Sequence, residues 1–448
     1  MVMKRIFVQI ASYRDQQLIP TLIDLIDKCT DPARLHIAIC WQHGNDETIT
    51  NFTADEDFTL ANDANDKSNQ TCQGFSVISL ERRGSKLSLI DVNCRESKGA
   101  CWARNLLQGL WSDEEYTLQI DSHMRFIEAW DAVLVYMLEN LRNKCNKPIL
   151  TGYPPSFFVN TDPWGREFKP CYLSVECVTE FGVVRFKPHS IEGWEALTNP
   201  IPTAYYSAGF AFTLGQFVGD VPHDPQLFFH GEEVNIAARA FTHGYDLFHP
   251  HRVVCWHQYI RKGSPKFWDD HPEWPQLERT SVQRYRALFG IDNVVIQADE
   301  WPRYGFGNQR TLEDYENYSG ISFKDSKIHP CAISTFPMPV AVPRVKGFNW
   351  RDYAFACCSV RVQIKRTDLL NELADYTYFQ FDILDKNGAT IYLGSLDPNT
   401  IKEGLSSGDA ISLTESVFYR TLPTRFRLTP YSQSTGWMNC IERELEIV

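Results

Sequence analysis

The chain opens with strand-like alternation. Ile6, Val8 and Ile10 lie on one face with Phe7 and Gln9 between them, and the run stops at Ser12-Tyr13-Arg14-Asp15. The apolar period then changes from two to about 3.6. Leu18, Leu22, Leu25 and Ile26 share one helical face, and Asp31-Pro32 closes it. Leu35 to Trp41 is again strand-like. A strand–helix–strand start predicts a right-handed crossover and parallel pairing, and hence an α/β fold with a mostly parallel central sheet. Residues 44–74 are polar, rich in Asn, Asp and Thr and poor in apolar periodicity, and are expected to be a flexible insertion able to cover a site.

Further apolar runs extend the pattern. Phe75–Leu80, Leu87–Val92, Tyr116–Ile120 and Ile149–Tyr153 read as strands, and Cys101–Trp111, 131–142 and Val234–Phe241 as helices. Val253–Tyr259 is a β-branched strand carrying His257 near its end. Residues 154–200 hold aromatics and prolines without clear period, which suits a surface that receives a second substrate. Pro330, Pro337, Pro339 and Pro343 then punctuate the chain, predicting a linker over 331–345 between a first domain at 1–330 and a second at 346–448. In the second, Cys358–Ile364, Tyr376–Ile383, Thr390–Leu393 and Phe418–Leu428 read as strands, with a helical turn at Leu369–Leu373. They predict a small β-sandwich-like accessory domain.

Composition narrows the function classes. At 448 residues, two domains are expected. A formal net charge of −12 argues against a broad nucleic-acid surface, because phosphate backbones need a positive field. No apolar run reaches membrane-spanning length, and Lys4-Arg5 precede a strand rather than a signal-peptide core, which leads us to expect a cytoplasmic protein. Thirteen cysteines are scattered without paired spacing, so they are expected to be reduced, small, buried residues.

Chemistry concentrates after the strand at Tyr116–Ile120, which runs into Asp121-Ser122-His123. In α/β sheets ligands collect beyond the carboxyl ends of strands. An Asp and a His one residue apart offer a hard oxygen and an imidazole, a donor pair suited to Mn²⁺ or Mg²⁺ against a diphosphate. His257 is a third candidate ligand, and two imidazoles with one carboxylate would leave open positions, as a catalytic metal requires. Phe229-His230-Gly231-Glu232-Glu233 places two acids at a helix start. There they favour the helix dipole, and being successive they point in different directions. Aromatics such as Trp164, Trp194, Tyr205 and Tyr206 are candidates for a sugar or peptide groove, although most aromatics in such a chain are core.

In this order, Ala11-Ser12-Tyr13-Arg14-Asp15, Gly99-Ala100-Cys101-Trp102-Ala103-Arg104, Leu118 to Phe126 with Trp130-Asp131, Phe229 to Glu233, and Trp256-His257 resemble the GlcNAc-transferase family. These are retaining GT-A glycosyltransferases, among them the cytoplasmic polypeptide N-acetylglucosaminyltransferase that acts on hydroxyproline. The resemblance spans roughly the first 260 residues. It implies a GT-A fold, a UDP-sugar donor (most directly UDP-GlcNAc), a protein or peptide hydroxyl as acceptor, and Mn²⁺ or Mg²⁺ held by Asp121, His123 and His257. It further implies nucleotide-sugar binding by Ser12, Tyr13, Arg14, Arg104, Asp121 and Gly209. Arg14 would reach the base or phosphates with a planar fork, Ser12 and Tyr13 would frame the base, and Gly209 would let backbone approach the sugar. Glu232 and Glu233 are the catalytic candidates, orienting donor sugar and acceptor hydroxyl. With retention, the departing phosphate can itself accept the acceptor's proton. Alternatives are a UDP-hexose transferase acting on a glycan, or a binding module that has lost catalysis. A metallohydrolase ranks low because no H-E-x-x-H spacing occurs.

Overall fold

The computed structural model describes residues 4–61, 71–261, 263–295, 301–334 and 349–447. It divides into two compact units, the first built mainly from Met1–Ser174 and Phe186–Ser319, the second from Val175–Arg185, Gly320–Ile333 and the C-terminal segment. Most of the predicted linker, together with residues 62–70 of the polar insertion, lies outside the described residues.

The first unit is an α/β sandwich around an 11-stranded sheet. Strands β1 (Ile6–Tyr13), β2 (Leu35–His43), β3 (Phe75–Arg82), β4 (Ser85–Asn93) and β5 (Tyr116–Asp121) carry most of one half. β1 pairs in parallel with both β2 and β5, and β2 with β4. β3 folds back on β4 as a hairpin, with Arg83 and Gly84 both at positive φ in its turn. Of the later strands, β7 (Pro148–Thr151), β8 (Phe210–Leu214) and β9 (Asp246–His249) continue this sheet, whereas β6 (Met124–Phe126) and β10 (Cys255–His257) form a separate two-stranded pair. β8 is inserted antiparallel between β5 and β7, and β9 pairs in parallel with β7. β1, β2, β4, β5, β7 and β9 therefore run one way, with β3 and β8 reversed, so the sheet is mostly parallel as the sequence predicts.

Helices cover both faces. Ile6, Val8 and Ile10 pack with Leu18, Leu22, Leu25 and Ile26 of α1 (Leu18–Asp27). Phe7 points the other way, into a cluster with Trp102, Ala103, Leu106 and Leu107 of α2 (Ala100–Gln108). That two-sided burial is why β1 reads as a nearly continuous apolar run. α3 (Trp130–Arg142) adds Leu134 and Leu138 to the first cluster.

The second unit is β-rich. β11 (Phe355–Lys365), β12 (Tyr376–Asp385), β13 (Thr390–Leu396), β14 (Ala410–Tyr419) and β15 (Pro423–Ser432) form two sheets, β11 with β14 and β12 with β13 and β15. Their inner faces share a core that includes Val360, Val362, Phe379, Phe381, Val417 and Phe426. The run predicted as one strand at Phe418–Leu428 is divided between β14 and β15. Pro423, which lacks an N–H, opens the second of them. A helix at Pro398–Ser406, capped by Asp397, was not foreseen. The predicted turn at Leu369–Leu373 is flanked by short 3₁₀ turns at Arg366–Asp368 and Leu373–Asp375.

Candidate active site

Register brings the chemistry to one edge. Ala11 of β1 sits opposite Asp121 at the end of β5. The antiparallel β8 begins there, with Phe210 opposite Ile120, so Gly209 meets Asp121 directly. A Cβ on Gly209 would lie 3.0 Å from Asp121 Oδ2. The close approach predicted at Gly209 is thus, in this structure, an approach to the Asp121 carboxylate. β10 pairs antiparallel with β6, opposing His257 to Met124, and this places His257 beside the turn that bears Asp121 and His123.

Asp121, His123 and His257 each offer a ligand atom, and all three atoms lie within 4.8 Å of one another. His257 Nε2 is 3.2 Å from Asp121 Oδ2, and the two imidazole rings are 4.6 Å apart. Both histidines are buried, and among the described residues neither ring nitrogen of His257 finds a hydrogen-bond partner. Buried polar atoms are normally satisfied. Orphaned imidazole nitrogens facing a carboxylate at this spacing fit a divalent cation with N and O ligands. Burial alone would raise Asp121, but His257 and Arg104 outweigh it and hold the carboxyl well below its usual range.

His123 is braced from behind by a residue to which the sequence reading gave no role. Its Nδ1 lies 2.7 Å from Asp15 Oδ2. Asp15, just past the end of β1, also accepts Ser122 Oγ–H at 2.7 Å and Arg261 at 3.1 Å. The signal was available, since an acid directly follows a strand end, but sequence offers only adjacent Arg14 as its partner.

Arg14 turns elsewhere. Its φ is 44°, a left-handed conformation, and its guanidinium contacts both oxygens of Asp270 at 3.0 Å. Tyr13 donates to the same carboxylate at 2.7 Å, with its ring near Phe267 and His271. Asp270 ends a short helix, α5 (Phe267–Asp270). Ser12 is buried and its carbonyl accepts from Gln42, whose own oxygen accepts from Ser97 just before α2. These residues gather around the ends of β1 and β2 and form a wall of the edge on which Asp121 lies.

Arg104 is the electrostatic centre. Fully enclosed in α2, it is bound to Glu232 and donates to Asp121 Oδ1 at 3.1 Å and to the Ala208 carbonyl at 3.1 Å. Glu232 and Glu233 open α4 (Glu232–Thr242), whose cap Gly231 has φ 87°. The two acids face apart, as successive residues at a helix start do. For Glu232 burial is an upward push, overcome by Arg104 and His223, and the carboxyl falls to about 2. For Glu233 burial dominates and raises it to about 7, with Tyr153 Oη–H at 2.6 Å, the Ala208 N–H at 3.0 Å and the Arg104 charge restraining it and the Glu232 charge adding to the rise. One acid is fixed as an anion and its neighbour is poised near neutrality, the kind of divergence that separates roles between paired carboxyls.

A second buried grouping, Cys101, His223 and Glu232, has ligand-like spacing. Gln119 Oε1 takes His223 Nε2–H at 2.6 Å, and the other ring nitrogen lies 3.2 Å from Glu232. Arg104 supplies Glu232 with its counter-charge and Gln119 engages His223 Nε2, so the acid and the imidazole are already paired within the protein. We read this grouping as an ion-pair network.

Trp164 is almost wholly exposed, whereas Tyr205 and Tyr206 are core residues. All thirteen cysteines are free thiols, and no helix of the described residues is long and apolar enough to cross a membrane.

The family model described as Glycosyltransferase (GlcNAc) matches residues 5–325. No curated protein matches the chain. Among solved structures, GalNAc-T7 with UDP, GalNAc and Mn²⁺ is similar at 12% identity and a TM-score of 0.40, over 70% of this chain and 54% of that one. The chain thus matches about half the length of that protein. TarS 1–349 from S. aureus in complex with UDP is similar at 9% identity and 0.35, over 67% and 78% of the two chains. Glucosyl-3-phosphoglycerate synthase from Mycobacterium tuberculosis, with Mn²⁺, UDP-glucose and phosphoglyceric acid, is similar at 10% and 0.32, over 63% and 79%. With the family's model covering most of its length, the chain belongs to the Glycosyltransferase (GlcNAc) family.

Proposed function

We propose that the protein transfers GlcNAc from UDP-GlcNAc to a hydroxyl of a protein or peptide acceptor, with retention of anomeric configuration and with a divalent cation bound at Asp121, His123 and His257. The convergence of these three side chains at the carboxyl edge of β5 is the observation that carries this reading. Two imidazoles in the donor set favour Mn²⁺ over Mg²⁺, which prefers oxygen ligands and retains its water. When bound, such an ion neutralises charge on a departing diphosphate.

The chain's own residues supply the rest. Ser12, Tyr13 and Arg14 would frame the uridine, with Arg14 and Tyr13 preoriented by Asp270. Arg104 holds Asp121 in place and, through Ala208, fixes the backbone next to Gly209, where the donor sugar would lie. Glu232 acts through Arg104. Glu233, aimed at Tyr153 and Ala208, is the acid able to hold or release a proton near neutrality beside the acceptor hydroxyl. The family description favours GlcNAc over a UDP-hexose donor, and an intact constellation favours an enzyme over a binding module.

The test is calorimetric titration of UDP-GlcNAc and rival UDP-sugars with Mn²⁺ and then with EDTA. Tight binding selective for UDP-GlcNAc, dependent on metal and lost in Asp121→Ala, is expected. Failure of the folded protein to bind any UDP-sugar would overturn the transferase reading, and preference for another sugar would overturn the donor assignment.

A further inference from the structure

Three separate chain segments meet on one oxygen atom. Asp15 follows β1, Ser122-His123 follow β5, and Arg261 follows β10. Asp15 Oδ2 accepts Ser122 Oγ–H at 2.7 Å, lies 2.7 Å from His123 Nδ1 and is 3.1 Å from Arg261. Its other oxygen accepts the Gln17 N–H at 2.9 Å, a turn that opens the way into α1. The carboxylate is buried and its oxygens are already engaged, so it is not itself placed to be a metal ligand.

We propose that Asp15 is the positioning residue of the Asp121–His123–His257 centre, selecting the Nδ1–H tautomer of His123 and presenting its Nε2 lone pair to the ion. This inference rests on reading that centre as a metal site. A neutral imidazole has one donor and one acceptor nitrogen, and an ionised carboxylate only accepts. Contact with Asp15 therefore puts the proton on Nδ1 and leaves Nε2 as the ligand. A carboxylate behind a ligating histidine fixes ring orientation and raises ligand basicity. The Arg261 contact does a second job. Arg261 lies four residues after His257, so the same carboxylate links the turn bearing His123 to the segment that carries the third ligand.

A local turn at the start of α1 needs only the Gln17 contact, on Oδ1. The donors on Oδ2 come from distant segments and are the part a merely helix-capping Asp would not collect.

Two measurements on the full chain test this. The first is ¹⁵N–¹H correlation of the ring nitrogens in metal-free, ¹⁵N-histidine-labelled protein, with His123 assigned by its loss in His123→Ala. The second is Mn²⁺ affinity, read from the EPR signal of free Mn²⁺, for wild type, Asp15→Asn and Ser122→Ala. The expected result is an Nδ1–H tautomer at His123, Mn²⁺ binding weakened about 10–100-fold in Asp15→Asn, and a change of less than about threefold in Ser122→Ala, which leaves the Asp15–His123 contact in place. An Nε2–H tautomer overturns the proposal, as does a folded Asp15→Asn that binds Mn²⁺ within threefold of wild type. If Asp15→Asn does not fold, the wild-type tautomer decides. Wild type that binds no Mn²⁺ overturns the metal reading itself, an outcome distinct from equal binding by both proteins.

Discussion

Glu233→Gln exposes the electrostatics of the site most directly. Burial raises this carboxyl to about 7 in the folded chain, against an ordinary value of 4.5. A raised acid is a liability whose sign follows from proton binding. Between about pH 4.5 and 7 the folded state keeps a proton that the unfolded chain has released, so stability falls as pH rises through that window. At about 1.4 kcal/mol per pH unit, the 2.5-unit span sets a ceiling of ~3.4 kcal/mol above pH 7. Part of the Glu233 residue surface remains open to solvent, and screening there reduces the expectation to ~2–3 kcal/mol. The glutamine is a close copy of the protonated acid, its carbonyl placed to accept from Ala208 and its amide to donate to Tyr153 Oη. Urea unfolding of both proteins in EDTA at pH 4.5, 6, 7 and 8, following the transition of the first unit, checks this. The variant should match wild type at pH 4.5 and gain steadily to ~2–3 kcal/mol by pH 8. A pH-independent difference, or a variant less stable at pH 8, would show that Glu233 is ionised in the folded protein at neutrality and would refute the reasoning.

Other substitutions probe neighbouring contacts. Arg104→Ala leaves the buried Glu232 and the part-exposed Asp121 without their cation and should cost about 3–5 kcal/mol in urea unfolding, of which Glu232→Gln in the same chain restores about 1–3. A loss below ~1 kcal/mol would mean that the pair is solvated. Gly209→Ala brings a methyl to 3.0 Å from Asp121 Oδ2, and a displacement of a few tenths of an ångström there should weaken metal-dependent UDP-GlcNAc binding by roughly tenfold while the melting temperature barely moves. Gly231→Ala meets both a φ of 87° and the Tyr285 ring at 2.8 Å, so a destabilisation of about 1–3 kcal/mol is expected in thermal unfolding, without recovery on adding Mn²⁺.

The fold was legible where periodicity is strong. β1, α1 and β2 followed from apolar spacing because both faces of β1 are buried, and the inward side chains of α1 fall on one stripe. The metal candidates Asp121 and His123 were legible for a different reason, since a strand that stops in acid and imidazole is chemically distinctive at any position. His257 could be suggested only as a late histidine. What brings it to the others is the three-residue pairing of β10 with β6, too short to leave a period in the sequence. The C-terminal unit was legible as β-rich but not in its detail: in β14, Ile411, Leu413 and Val417 alternate with Ser412, Thr414 and Ser416, but Glu415 falls on the apolar side and breaks the run.

What the sequence could not supply is the partner of each charged residue, because each works through one distant in sequence. Arg14 and Asp15 are adjacent and opposite in charge, so sequence pairs them with each other. The structure instead sends Arg14 to Asp270 and Asp15 to His123 and Arg261. The cause is local. A left-handed φ at Arg14 turns the chain between the two side chains, and Asp15 drops under the end of β5 while Arg14 remains on the rim. Non-glycine residues in that conformation need surrounding contacts to hold them, and here the Arg14 N–H to Gln42 carbonyl bond and the bidentate Asp270 contact supply that support. The strained residue thus sits where the strand divides its last two charges between a proposed nucleotide wall and a proposed metal centre. Relaxing φ at Arg14 would have to disturb both together, which a Ser-Tyr-Arg-Asp string read as sequence does not reveal.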